Sequence, residues 1–205
     1  MYPNETHNTA DNLMKISKIN DQLYLSGVFP MDQNSHCLRD KNIKYILCCV
    51  DTRYAQPIHE KIIKNDPEIT ILYLPYNDIV NQNLWQTNWD NIKITSPNTN
   101  HNNQLLKYYK GRPMIEIGYH FINHAIQTGN NILVHCMAGI SRSVSLVIYY
   151  YMKKMSKKMD DVLKYIRSKR AIADPNESFK RQLSLYEKKR DTFTESDATH
   201  IIKNL

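Results

Sequence analysis

Cys136 closes the apolar run NILVHC, and Arg142 opens another apolar run six positions later, with only Met-Ala-Gly-Ile-Ser between them. A thiol and a guanidinium at that spacing, across a strand-to-helix turn, are placed for anion chemistry. The amides of Met137, Ala138, Gly139, Ile140 and Ser141 converge on one point at a helix N-terminus, where orphan N–H groups and the helix dipole both favour negative charge. A free cysteine titrates near about 8.5, and one beside such a terminus and a cation drops to roughly 3.5–7.5. Cys136 is then a thiolate nucleophile in a nest shaped for a phosphoryl group. Arg142 adds a planar fork for two equatorial oxygens, which the point charge of a lysine does not match. Gly139 supplies backbone freedom to the loop. Ser143 is placed to hydrogen-bond the sulfur and ease its departure, and His135 orients the site, since a pre-ionised thiolate needs no base. The plainer reading of Cys136, a core thiol at a strand end, leaves Gly139, Arg142 and Ser143 unexplained.

These residues need a sheet and helices to hold them. Four runs rich in β-branched and aromatic residues predict strands at 22–26, 44–50, 69–75 and 131–136. Several are apolar throughout, as strands covered on both faces are. Helical patterns follow at 54–64, 114–127, 141–155, 159–168 and 177–190; in the second, Ile115, Tyr119, Ile122 and Ile126 form one stripe behind Pro113. The alternation predicts one α/β domain at 16–190, a mostly parallel sheet of about four to five strands flanked by helices, with tails at 1–15 and 191–205. Residues 80–112 are Asn-rich and weakly patterned. They predict an inserted mobile loop or lid, with Trp85 and Trp89 four apart as anchors on a short helix.

Composition narrows the class. The 205 residues suit a single buried core, and 41% hydrophobic with 23% charged residues is ordinary for a globular chain. A net charge of +7 favours anionic partners such as phosphoproteins, phospholipid headgroups or nucleic acid, or marks a solvated basic surface. The four lysines of MKKMSKKM at 152–159 complement a helix C-terminus or dock acidic segments. Cys37, Cys48, Cys49 and Cys136 show no CxxC pair and no histidine spacing suited to zinc, so no metal and no cofactor is expected. Cys48 and Cys49 read as core thiols in a reducing compartment, the cytoplasm with the nucleus as alternative. No apolar stretch approaches the roughly eighteen residues of a membrane span. No feature of the sequence sets an oligomeric state.

The string His135-Cys136-x-x-Gly139-x-x-Arg142-Ser143 resembles the signature loop of the cysteine-dependent protein tyrosine phosphatases, and VHCMAGISRS looks like their dual-specificity branch. RAIADPNESFKRQLSLYE at 170–187 is similar to that branch as well, as are INDQLYLSG and NIKYILCCVD. The resemblance covers about 16–190. It implies that Asn176 buttresses the phosphate loop, that Phe179, Leu183 and Tyr186 pack the last helix, and that an aspartate after the third core strand is the general acid. LYLPYNDIV puts Asp78 there. Asp78 lies farther upstream of Cys136 than the family's usual acid, the surplus matches the insertion, and long insertions cost little closure entropy. Asp90 is the rival. The implied activity is removal of phosphate from phosphotyrosine, phosphoserine and phosphothreonine proteins through a phosphocysteine. An RNA 5′-phosphatase and a catalytically weak phosphoprotein-binding module on the same fold remain as alternatives. The former is less favoured because Ser141-Arg142-Ser143 stands where such enzymes tend to carry Asn-Arg-Thr.

Overall fold

The apolar runs lack alternation because both of their faces are covered, and in the computed structural model of the chain they make the centre of one sheet. The structure describes residues 9–34, 36–88, 90–97 and 99–203. The strands are β1 (Ser17–Lys18), β2 (Leu23–Ser26), β3 (Ile43–Cys48), β4 (Thr70–Tyr73), β5 (Lys93–Thr95) and β6 (Asn131–His135), in the order β1-β2-β6-β3-β4-β5. The four central strands run parallel, and the two edge strands pair antiparallel. β6 lies between β2 and β3, so the chain that leaves its carboxyl end emerges at a switch in strand order, the usual ligand crevice of an open α/β sheet.

Two layers of helix cover the sheet. The helices are α1 (Thr9–Leu13), α2 (Phe29–Gln33), α3 (Thr52–Asn65), α4 (Thr99–Tyr109), α5 (Met114–Gln127), α6 (Arg142–Met155), α7 (Met159–Lys169), α8 (Glu177–Lys189) and α9 (Glu195–Lys203). Side chains alternate along a strand. In β3, Cys48 shares a face with His59 of α3, while Tyr45 on the other face meets the Phe121 ring of α5 at 5.5 Å. α6 buries every residue from Ser143 to Met152, as a helix enclosed by other elements must.

Among the described residues the sheet has six strands, two more than the four runs predict. β1 and β5 are two and three residues long, too short to leave a periodic signal. The segment at 80–112 is also more ordered than a loop or lid, since it holds β5 and α4. β5 pairs with β4 through Ile71 with Thr95 and Leu72 with Ile94, and α4 turns Leu105, Leu106 and Tyr109 inward amid asparagines that mask the pattern. Trp85 sits in a turn, not on a helix. Its ring centroid lies 5.4 Å from that of Tyr149, 5.5 Å from that of Tyr186 and 4.4 Å from that of Phe193. Trp89 lies outside the described residues. Residues read as a C-terminal tail carry α9, and Asn83 Nδ2 donates to the Glu195 carbonyl and to Thr199 Oγ1, both at 3.1 Å. No helix among the described residues is long and apolar enough to cross a membrane.

Trp85 therefore joins the inserted segment to α6, α8 and Phe193, just before α9. Trp85→Ala should lower the unfolding free energy by about 3–5 kcal/mol, the range for emptying an aromatic site in a core. Urea titration followed by far-UV circular dichroism measures it, and a loss below about 1 kcal/mol would contradict this packing role.

Candidate active site

A peptide unit in the trans form points its C=O and the following N–H in opposite directions. The orientation of the amides between Cys136 and Arg142 can therefore be read from the partners of the carbonyls. His135 Nδ1 lies 3.3 Å from the Cys136 carbonyl. Val28 N–H donates to the Met137 carbonyl at 2.9 Å. The Arg170 guanidinium donates twice, through Nη2 to Ala138 at 2.8 Å and through Nε to Gly139 at 2.6 Å. Asp174 N–H donates to the Ile140 carbonyl at 2.8 Å. All five carbonyls are tied away from the centre, so the amides of Met137, Ala138, Gly139, Ile140 and Ser141 face inward. Gly139 holds φ at +68°, and a Cβ there would come within 2.4 Å of the Ser26 carbonyl carbon. Gly27 has the same constraint from the other side, 2.7 Å from the Met137 carbonyl oxygen to a hypothetical Cβ. The β2–α2 turn and the loop are thus in backbone contact.

The sulfur of Cys136 lies inside that ring. Gly139 N–H and Ser143 Oγ–H both donate to it at 3.2 Å. Burial pushes the thiol up, but the Arg142 guanidinium, the Ser143 hydroxyl and the amides of Ser143 and Gly139 outweigh burial and hold it below the ordinary cysteine value. At the other thiols the lowering influences are too weak to offset burial. Burial pushes Cys37 up to about 11, Cys48 up to about 12 and Cys49 well above the ordinary range.

Asp78, at the end of the chain leaving β4, faces the loop. Its Oδ1 accepts from Ser141 Oγ at 2.6 Å and from Asn176 Nδ2 at 2.9 Å, and its Oδ2 lies 3.6 Å from Arg142 Nε. Arg142 also donates through Nη1 to the Tyr76 carbonyl at 3.2 Å. Asn176 caps α8 by accepting from Phe179 N–H and donates its own N–H to Ser141 Oγ. Asp90 lies in an exposed turn, where its N–H donates to Asn88 Oδ1 at 3.1 Å. Asp78, Ser141, Arg142 and Asn176 are thus brought together, whereas the hydrogen bond of Asp90 is to its own turn.

Three side chains at the site had no sequence signal read from them. Arg170 is fully buried yet closes RSKR as if on a solvated helix end. His59 and Tyr73 lie behind His135, with His59 Nε2 3.0 Å from His135 Nε2 and His59 Nδ1 3.0 Å from Tyr73 Oη. With Cys48, the two histidines form a cluster whose ligand atoms lie within 4.8 Å of one another. Tertiary contact assembles it despite the unsuitable spacing. Burial pushes the Cys48 thiol up and its Sγ lies 3.7 Å from the Val50 carbonyl, while the two histidine rings are joined to each other and to Tyr73.

A nucleophilic cysteine, five inward amides and a guanidinium agree with what comparison with other proteins finds. Residues 23–189 match the family described as dual specificity phosphatase, catalytic domain. The chain belongs to the dual specificity phosphatases. It is 47% identical over 194 residues to a protein of Acanthamoeba polyphaga mimivirus provisionally named tyrosine-protein phosphatase R622, covering 92% of each chain. It is 48% identical over 69 residues, 34% of the chain, to human protein phosphatase Slingshot homolog 1, of which it spans 7%. The solved structure of DUSP15 superposes with a TM-score of 0.61 at 24% identity, covering 92% of this chain and 95% of that one, a likeness of fold. The activity of this dual specificity phosphatase domain is cysteine-dependent, metal-independent removal of phosphate from protein.

Two outcomes follow from the geometry. Arg170→Met leaves the Ala138 and Gly139 carbonyls without their donor and should lower kcat at least about tenfold, one hydrogen bond's desolvation cost or more; steady-state kinetics on a phosphopeptide measures it. Burial pushes His135 down to about 4 and His59 well below its ordinary value. Unfolded histidine binds its proton near about 6.5, so below that pH the unfolded chain holds more protons than the folded one. The stability that neutral His59 and His135 contribute is complete above about pH 6.5 and drains as pH falls toward about 4. Urea midpoints at pH 7 and pH 5 should therefore differ, with the lower midpoint at pH 5.

Proposed function

We propose that this domain hydrolyses phosphotyrosine, phosphoserine and phosphothreonine in proteins through a phosphocysteine intermediate. The observation that carries the reading is the set of five carbonyls tied outward from the loop, which leaves five amides facing the space over the Cys136 sulfur, with the Arg142 guanidinium near enough to lower that thiol. That arrangement suits a phosphoryl group, whose charge spreads over three equatorial oxygens in the transition state.

In the first step Cys136 Sγ attacks phosphorus, the ester P–O bond breaks, and Asp78 gives its proton to the departing oxygen. Asp78 Oδ2 lies 3.6 Å from Arg142 Nε. A bound dianion competes with Asp78 for that guanidinium. In the second step the Asp78 carboxylate takes a proton from water, the water oxygen bonds phosphorus, and the P–S bond breaks. Ser143 donates to the leaving sulfur and stabilises it. The amides of Met137, Ala138, Gly139, Ile140 and Ser141 hold the phosphoryl oxygens throughout, and Asn176 keeps Ser141 and Asp78 in register. Asp78's position also argues against the binding-only alternative, which requires both aspartates to be carried away from the pocket. The four free cysteines are consistent with a reducing compartment, which we take to be the cytoplasm.

Hydrolysis of matched phosphotyrosine, phosphoserine and phosphothreonine peptides in the presence of a chelator tests the proposal. Cys136→Ser should abolish turnover, and Asp78→Asn should lower kcat about 10²–10⁴-fold, the range for losing a general acid. Asp90→Asn should stay within about twofold of the parent. Full activity in Cys136→Ser would end the reading, and parent-like kcat in Asp78→Asn with loss in Asp90→Asn would transfer the acid to Asp90.

A further inference from the structure

We propose that Tyr73, His59 and His135 form a one-directional hydrogen-bond chain whose last donor grips the Cys136 carbonyl, which makes His59 and Tyr73 positioning residues for the nucleophile loop. The direction follows from one atom. The Cys136 carbonyl oxygen can only accept, so His135 Nδ1, 3.3 Å away, carries hydrogen. His135 is fully buried and its charged form is disfavoured, chiefly by desolvation, so the ring is neutral and its Nε2 is bare. His59 Nε2, 3.0 Å from that bare nitrogen, must then donate. His59 is likewise buried and neutral, which leaves its Nδ1 bare to accept the Tyr73 hydroxyl hydrogen at 3.0 Å. Each ring is held in one tautomer by the next group.

The other groups facing the two rings do not compete. Cys48 Sγ shares the pocket, remains a thiol and lies 3.7 Å from the Val50 carbonyl. Arg142 and Glu60 act on His135 and on Tyr73 respectively only at a distance. The end of the chain is where it matters. Fixing the Cys136 carbonyl toward His135 turns the Met137 amide the opposite way, into the nest. Four of the five loop carbonyls are held by Val28, Arg170 and Asp174. The fifth, adjacent to the sulfur, depends on a side chain that would otherwise be free to flip or change tautomer. His59 comes from α3, 76 residues away in sequence, and Tyr73 ends β4, so the two elements that lead into the acid loop also set the nucleophile.

The inference rests on Cys136 as nucleophile, yet its first test is independent of activity. Long-range ¹H–¹⁵N correlation spectra of the labelled, full-length protein at pH 7 should show His135 protonated at Nδ1 only and His59 at Nε2 only. The reverse tautomer in either ring, a cationic ring, or the shifts of a metal-bound nitrogen would overturn the chain whatever the kinetics. The second test is kinetic. Tyr73→Phe keeps the ring and removes the hydroxyl; it should lower kcat about fivefold, the worth of one ordinary hydrogen bond, with KM within about twofold. The pH midpoint for alkylation of Cys136 by iodoacetamide should rise. His59→Leu should do more, and His59→Gln, whose amide still offers a donor to His135, should recover most of the loss. If His59→Leu does not fold, Tyr73→Phe decides: parent kcat together with a parent alkylation midpoint would overturn the positioning role.

Discussion

A nest of inward amides creates an equal number of outward carbonyls, and in a buried loop each of those needs a donor. That requirement governs the molecule. The donors come from the β2–α2 turn, from the segment between α7 and α8, from Arg170 at the end of α7, and from His135 on β6. None of them touches a phosphoryl group in the proposed chemistry. Arg170 shows the energetic logic most plainly. Burial draws its pKa down to about 10, still a cation at neutral pH, and the cost of enclosing that charge is offset by two loop carbonyls, the Lys15 carbonyl and Ser17 Oγ. The guanidinium fork satisfies two adjacent peptide units at once, which a lysine does not do.

Within that frame, the four cysteines show that burial does not decide a thiol's state by itself. Cys48, Cys49 and Cys136 are all buried to within 1% exposure, and burial pushes each upward. The Arg142 charge reaches all three, but only Cys136 also has the Ser143 hydroxyl and the amides of Gly139 and Ser143 directed at its sulfur, and only Cys136 is held below the ordinary value. Cys49 lies one residue beyond the end of β3 and donates its backbone N–H to the His135 carbonyl. Its sulfur is close enough to feel Cys136, yet lacks those donors. Reactivity is thus a property of the loop's orientation, not of the residue type or depth.

The parts of the chain most unlike a minimal α/β domain serve packing. The segment carrying β5 and α4 extends the sheet by one strand. Its Trp85 also provides the surface on which Phe193 and Tyr186 close. Asn83 then fastens the start of α9. Asp78 leaves β4 immediately before this segment, so the same insertion that lengthens the spacing to Cys136 is anchored well enough to leave the aspartate at the loop.

Local patterning determined much of this protein by itself. The apolar runs placed the four central strands to within a residue or two, the 3.6-residue stripe placed α5 from Met114 to Gln127, and Cys136, Gly139, Arg142 and Ser143 were legible because one short loop carries them all. Asp78 and Asn176 were legible through the resemblance of their surroundings to a family. The rest was decided by tertiary structure. β1 and β5 are strands only because a neighbour pairs with them, and α4 holds its apolar residues among asparagines that only burial distinguishes. Arg170, His59 and Tyr73 look like a solvated cation, a helix histidine and a strand aromatic. Their partners lie 31, 76 and 14 residues away along the chain, and no periodicity reaches across such gaps. Satisfying a buried carbonyl or fixing a ring tautomer depends on what folding brings within about 3 Å, which local sequence does not encode.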